Sequence, residues 1–260
     1  TLKSQVTDNL GFAVVINALK PLLEKPNPIP IEQWTTIGAL KERDWKTLGA
    51  RWRQRAGRIY VDEKGEGFGG RSLCLSNIEQ PEIPFEIEVA VKFSPNSGAA
   101  GLVFHSDGKD RHYGFYPSNG RLRLSRFNGP NVQTWQVLAD VENKAYRQGD
   151  WNWLRVRIEK ERLLCYVNDQ LAIESTDTGF RKGAVGLAKF RDTSAEFKQF
   201  SVGKKLPSRI PDEKSLERIL AAIAKVVADE PAGADVVETL APEGASTSDV
   251  LRREAEMLEK

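Results

Sequence analysis

A chain of 260 residues, 40% of them hydrophobic, has the length for one large β domain or for a domain with appendages, and enough to bury a proper core. Its 38 basic residues nearly cancel its 36 acidic ones, which argues against nucleic acid as the main ligand while leaving room for a local basic patch. No apolar run approaches the length of a membrane span and no signal peptide is recognisable, while the start at Thr1 rather than a methionine points to a piece of a longer protein.

In chain order, residues 9–15 read Asn-Leu-Gly-Phe-Ala-Val-Val and residues 16–23 read Ile-Asn-Ala-Leu-Lys-Pro-Leu-Leu, an apolar strand leading into a short amphipathic helix. This segment resembles the last strand and closing helix of HtrA-type trypsin-like serine proteases, which implies a protease-like domain upstream in the parent protein. Nothing catalytic accompanies it: the chain lacks a Gly-x-Ser-Gly-Gly loop, and its two histidines, His105 and His112, belong to the β region. Pro26, Pro28 and Pro30 form a stiff linker. The expected divisions are 1–30, 31–206 and 207–260.

Trp34, Trp45 and Trp52 open the β region, either lining a sugar site with their indole faces or sealing one end of a sandwich. Asp62 to Gly70, with four glycines, is a loop, and Ser72 to Ser76 returns as a strand. From Phe85 to Phe93 the odd positions Phe85, Ile87, Val89, Val91 and Phe93 alternate with Glu86, Glu88 and Lys92, so one face is core and the other, with both glutamates, is expected to be wet. The two cysteines, Cys74 and Cys165, fall in expected strands and read as buried thiols in preference to a disulfide.

From Gly101 to Phe127 the spacing predicts two hairpins. A turn centred on Gly108-Lys109 sets His105 opposite His112, and Asn119-Gly120, the strongest hairpin signal in the chain, sets Tyr116 opposite Arg123 and Gly114 opposite Ser125. One face then collects Leu102, Phe104, Tyr113, Phe115, Leu122 and Leu124, the expected core. The other collects Val103, His105, His112, Gly114, Tyr116, Arg123 and Ser125, with opposed Cβ atoms about 5 Å apart. Gly114 leaves a dip where a ligand can approach the backbone. Such a face suits a sugar, with Tyr116 stacking and Arg123 and the histidines bonding hydroxyls; the polar outer face of an ordinary sheet fits equally well. The histidine pair is expected to titrate near pH 6 and, without a third ligand, falls short of a zinc site. Trp135 is a further candidate, and Lys189, Arg191 and Asp192 close a loop expected to edge the same patch.

Residues 149–202 form an antiparallel meander: Gly-Asp-Trp-Asn-Trp-Leu-Arg-Val-Arg-Ile (149–158), a short strand ending Val-Asn-Asp (167–169), Gly-Ala-Val-Gly-Leu (183–187) and Glu-Phe-Lys-Gln-Phe-Ser-Val (196–202). This order resembles the C-terminal half of concanavalin A-like lectin/glucanase jelly rolls, in particular laminin G-like and 3-keto-disaccharide hydrolase domains, and the resemblance extends back to about Trp45. It implies a mostly β fold, an antiparallel two-sheet jelly-roll sandwich, with glycans bound on the concave sheet face that carries the 101–127 hairpins. Retaining glucanases of this fold carry Glu-x-Asp-x-x-Glu on one strand; Ile87 between Glu86 and Glu88 breaks that pattern. Laminin G-like relatives bind calcium through loop carboxylates; Asp107, Asp110 and Asp192 are present, but turn-forming aspartates explain them better, so no cofactor is expected.

Beyond Pro207 and Pro211 the pattern turns helical, with Asp212 as cap and Leu216, Ile219, Leu220, Ile223, Val226 and Val227 in one stripe; a second helix starts at Ser246 to Ser248. The expected protein is a non-catalytic carbohydrate-binding or adhesion-type module with a glycan or polysaccharide partner, between a protease-like and a helical neighbour. The alternatives are a glycoside-cleaving enzyme using His105 or His112 and a structural spacer.

Overall fold

Alternating sequence becomes two stacked antiparallel sheets. The computed structural model describes residues 2–3, 11–12, 35–210 and 213–227. Strands β1 (Leu2–Lys3) and β2 (Gly11–Phe12) pair with each other. Within residues 35–210 follow β3 (Gly38–Ala39), β4 (Trp45–Leu48), β5 (Arg53–Arg55), β6 (Arg58–Val61), β7 (Ser72–Ser76), β8 (Phe85–Ser94), β9 (Ala99–Ser106), β10 (His112–Ser118), β11 (Arg121–Phe127) and β12 (Trp135–Val141). The meander supplies β13 (Asn152–Ile158), β14 (Leu163–Val167), β15 (Gln170–Ser175), β16 (Ala184–Phe190) and β17 (Ser194–Gly203). Helix α1 spans Glu213–Val227. The N-terminal strand-helix segment, apart from the β1–β2 pair, and the helix expected from Ser246 lie outside the described residues, as do Trp34 and Asp212. Among the described residues no helix is long and apolar enough to cross a membrane.

One sheet has seven strands in the order β12-β11-β10-β9-β16-β7-β4, the other eight in the order β15-β14-β13-β8-β17-β6-β5-β3. The core lies between them. Ile87 and Val89 on β8 and Leu154, Val156 and Ile158 on β13 belong to one buried cluster with Leu102, Phe104, Tyr113, Phe115, Leu122 and Leu124, as the period-two pattern requires. Cys74 and Cys165 are free, buried thiols in different sheets. Trp52 donates its indole N–H to Ser72 Oγ at 2.8 Å and packs on Phe197, while Trp45 packs on Phe200. Both seal the sandwich.

Local chemistry sets the meander's register. Asn168 and Asp169 take φ of 48° and 63°, the left-handed pair a two-residue hairpin needs. The Asn168 side chain then accepts from Trp153 N at 2.9 Å and donates to Ala145 O at 2.6 Å, tying the turn to the neighbouring loop.

The expected wet face of β8 is exposed at Lys92 but not at its two glutamates. Glu86 and Glu88 are buried on the outer surface of the eight-stranded sheet, because arginines from distant segments close over them. Arg157 reaches Glu86 at 3.0 Å, Arg155 reaches Glu88 at 2.9 Å, and Arg209 grips Glu88 at 2.7 and 2.9 Å with its guanidinium 3.3 Å from the Trp153 ring centroid. Alternation locates a side chain's face but says nothing of what covers that face.

Candidate functional site

The Asn119-Gly120 hairpin has the expected register, with Tyr116 opposite Arg123 and Gly114 opposite Ser125. The preceding hairpin does not. Phe104 pairs with Tyr113, but Asp107 N then bonds Arg111 O at 3.0 Å, so His105 and Ser106 together stand opposite His112. This is a β-bulge, and its cause is the wider turn: Asp107 Oδ1 accepts from Lys109 N and Arg111 N, which closes five residues instead of four. His105 takes φ +50° and its ring turns to the Phe104 and Tyr113 rings, at 5.8 and 6.1 Å. The expected histidine pair is therefore broken. Only His112 stays with the outer face.

That face of the seven-stranded sheet is itself a second apolar cluster. Leu73, Leu75, Val103, Tyr116, Phe127, Ala188 and Phe190 pack on it. The dip expected at Gly114 is filled: a Cβ there would lie 3.1 Å from the Phe127 ring and 3.2 Å from the Tyr116 ring. Tyr116, 8% exposed, shares a 2.9 Å hydrogen bond with Ser125 Oγ and packs 4.7 Å from Phe190. Burial raises its phenol pKa. Tyr116 and Ser125 form the floor of the face.

The exposed features stand at its rim. Phe68, 54% exposed, meets Trp135 edge-on at 5.8 Å, and Trp135 meets Phe127 at 4.9 Å. Glycines allow this approach: a Cβ on Gly69, at φ +67°, would stand 3.0 Å from the Trp135 ring, and one on Gly70 would strike Arg191 O at 2.5 Å. Beneath the shelf Arg71 is buried. It donates to Asp110 O at 3.1 Å and Gly129 O at 3.3 Å, pairs with the Asp110 carboxylate, and lies 5.8 Å from the Trp135 ring. Arg123 and Arg121 share Asp140, each at 2.7 Å through Nε. Arg191 bonds Ser118 Oγ at 3.1 Å and the Ser97 carbonyl.

Of the expected site residues, the structure brings together His112, Tyr116, Arg123, Ser125, Trp135 and Arg191. It does not bring in Lys189, whose side chain is fully enclosed on the core side, donating to the Thr193 and Arg191 carbonyls at 3.1 and 3.4 Å. Lys189 alternates with Ala188 and Phe190 of the outer face, so parity sends it inward. Sequence reasoning missed Phe68, Arg71 and Phe127. Phe127 continues the period-two series Arg123, Ser125 and was legible; Phe68 and Arg71, in a glycine-rich loop, carried no periodic signal. Among the described residues there is no group of three His, Cys, Asp or Glu side chains able to hold a metal. Asp107 caps its own turn and Asp110 pairs with Arg71.

Neither imidazole titrates near pH 6. Burial lowers His105 to about 4, and burial lowers His112 to about 3 although its ring bonds Tyr113 O at 3.1 Å. Folded values below the unfolded value of roughly 6.5 mean the fold favours neutral rings. Their stabilisation is complete above about pH 6.5 and is lost as pH falls toward 4 and 3. Denaturant unfolding should therefore lose about 2–3 kcal/mol per histidine between roughly pH 6.5 and 4.5. His112→Phe, which keeps the stack on Phe127, should lose that much less on acidification; an unchanged acid dependence would show that His112 charges freely in the fold.

Residues 32–203 match the family of 3-keto-alpha-glucoside-1,2-lyase-like domains. The chain is 27% identical over 150 residues to the levanase of Bacillus subtilis strain 168, covering 55% of this chain and 20% of the levanase, so it spans about a fifth of that relative. The carbohydrate binding module CBM66 from Bacillus subtilis superposes with a TM-score of 0.53 at 20% identity, covering 64% of this chain and 99% of the module, a likeness of fold. With the family match running through both sheets, the chain belongs to the 3-keto-alpha-glucoside-1,2-lyase-like domain family.

Proposed function

We propose that residues 31–206 form a carbohydrate-binding module that holds a glycan across the rim of the seven-stranded sheet. The observation that carries this reading is the Phe68–Trp135 shelf: aromatic surface open to solvent, with the Arg71–Asp110 and Arg121/Arg123–Asp140 pairs on the same sheet face. Aromatic faces stack on the C–H face of a sugar ring, and fixed guanidinium and carboxylate groups bond its hydroxyls. The solved module with the same fold carries carbohydrate binding in its name, which supports the reading. The same proposal includes a protease-like neighbour upstream, on the likeness of residues 9–23, and a helical one downstream.

Calorimetric titration of the chain with a panel of soluble polysaccharides tests it. At least one is expected to bind, with affinity falling tenfold or more, about 1.4 kcal/mol, in Trp135→Ala and less in Arg123→Ala. Absence of binding across the panel, or a binder indifferent to Trp135→Ala, removes the proposal.

The family favours a second reading, cleavage of a 3-keto-glycoside. His112 is sealed at 0% exposure, so of the two imidazoles only His105 lines open space. Sugar release from a 3-keto-glycoside, abolished by His105→Ala, would select that reading.

A further inference from the structure

The bulge that removes His105 from the outer face delivers it to a different place. Where the ends of β9, β13 and β14 meet the loop between β15 and β16, His105 lines a pocket of about 180 Å³. Its Nδ1 is buried with no hydrogen-bond partner, and the residue is 4% exposed. A buried ring nitrogen without a partner costs free energy in the empty fold, and a hydroxyl entering the pocket can satisfy it. At about 180 Å³ the pocket is small against the roughly 300–1,000 Å³ of ordinary ligand pockets, so it has room for one small ring at most and none for an oligosaccharide.

The charges around the pocket give the ligand its sign. Both carboxylates that line it already have arginine partners: Asp177 takes Arg126 at 2.6 Å and the Tyr113 hydroxyl, and Glu159 takes Arg157 at 2.7 Å and Arg162 at 2.6 Å. Lys160 and Arg181, exposed at the same pocket, have no carboxylate partner among the described residues; Arg181 only donates to Lys160 O at 3.2 Å. Phe180, edge-on to Tyr113 at 5.2 Å, and Leu163 supply apolar wall. Neutralised acids, two unpaired cations and a partnerless imidazole select a small anion that also carries hydroxyls.

We propose that this pocket is a second binding site, separate from the aromatic shelf, for a single hydroxylated carboxylate the size of one uronic acid. The carboxylate meets Lys160 and Arg181 and a ring hydroxyl meets His105. The assignment does not depend on the shelf binding a glycan.

The test is calorimetric or ligand-observed NMR titration of the full chain with D-glucuronate and, in parallel, D-glucose. Saturable glucuronate binding is expected, with glucose weaker by about tenfold or more. The double charge reversal Lys160→Glu/Arg181→Glu, at exposed positions that leave the fold intact, should weaken glucuronate by at least about tenfold while sparing the weak glucose signal. His105→Gln, close in shape to the ring, is expected to weaken both sugars. No glucuronate binding up to about 10 mM, equal affinity for the two sugars, or glucuronate affinity unmoved by the charge reversal would each overturn the proposal.

Discussion

Glu88→Ala is expected to lower the unfolding free energy of the sandwich by about 3 kcal/mol, or roughly 6–12 °C in Tm, measured by denaturant and thermal unfolding. Glu88 is 4% exposed and takes two guanidinium groups, Arg155 from β13 and Arg209 from the segment after β17. Removing the carboxylate leaves both cations beside the sheet without their shared counter-charge, and the anionic partners left to Arg155 are Asp169 at 3.2 Å and a distant Glu86 oxygen at 3.9 Å. Breaking one side of a buried pair costs more than the pair itself contributes, since the desolvated partner stays behind. The same network of charged groups holds the chain beyond β17: Leu206 N donates to Glu86 at 2.7 Å, Arg209 N to Asp169 at 3.0 Å, and Arg155 to Pro207 O at 2.6 Å. Adding Arg209→Ala to Glu88→Ala should therefore restore part of the loss, a coupling that a double-mutant cycle reads directly. A Glu88→Ala penalty under about 1 kcal/mol would mean that water reaches this network and that the outer face is as wet as alternation implied.

Arg71→Ala should act on both stability and binding. The guanidinium is buried, satisfies the Asp110 and Gly129 carbonyls, pairs with the Asp110 carboxylate and lies against Phe127 and Trp135 at 6.0 and 5.8 Å. Its loss strips two carbonyls of a donor and leaves a cavity under the shelf, for an expected cost of about 2–4 kcal/mol. Affinity for the bound polysaccharide should fall by more than about tenfold, because neither Trp135 nor Asp110 keeps its orientation. Arg71→Lys separates charge from geometry: an ammonium cannot reach three acceptors and stack at once, so it should restore little of the affinity. If Arg71→Ala is destabilised yet binds with wild-type affinity, Arg71 is only a packing residue and the shelf is not the binding surface.

The local pattern of the chain determined much of this. Period-two alternation placed Leu154, Val156 and Ile158, and likewise Leu102, Phe104, Tyr113 and Phe115, on the buried side of their strands, because a pleat sends successive side chains to opposite faces whatever lies beyond it. Asn119-Gly120 fixed the β10–β11 register for an equally local reason: a tight turn that needs positive φ admits few residues. Neighbouring residues alone did not reveal the turn after β9. There the Asp107 side chain, competing for the backbone of Lys109 and Arg111, widened the loop and rotated His105 off the expected face.

Coverage was decided only in three dimensions. Alternation put Glu86, Glu88, Tyr116 and Ser125 on outward faces, but outward is not the same as exposed. Arg209 lies 121 residues from Glu88 and reaches it only once the chain after β17 has been laid across the sheet. Phe68 meets Trp135 only after the glycine-rich loop has docked against the Arg191 backbone. Hydrogen-bond geometry and side-chain parity act within a strand and can be read along it, whereas burial depends on which remote segments close over a surface, and that is a property of the assembled sandwich.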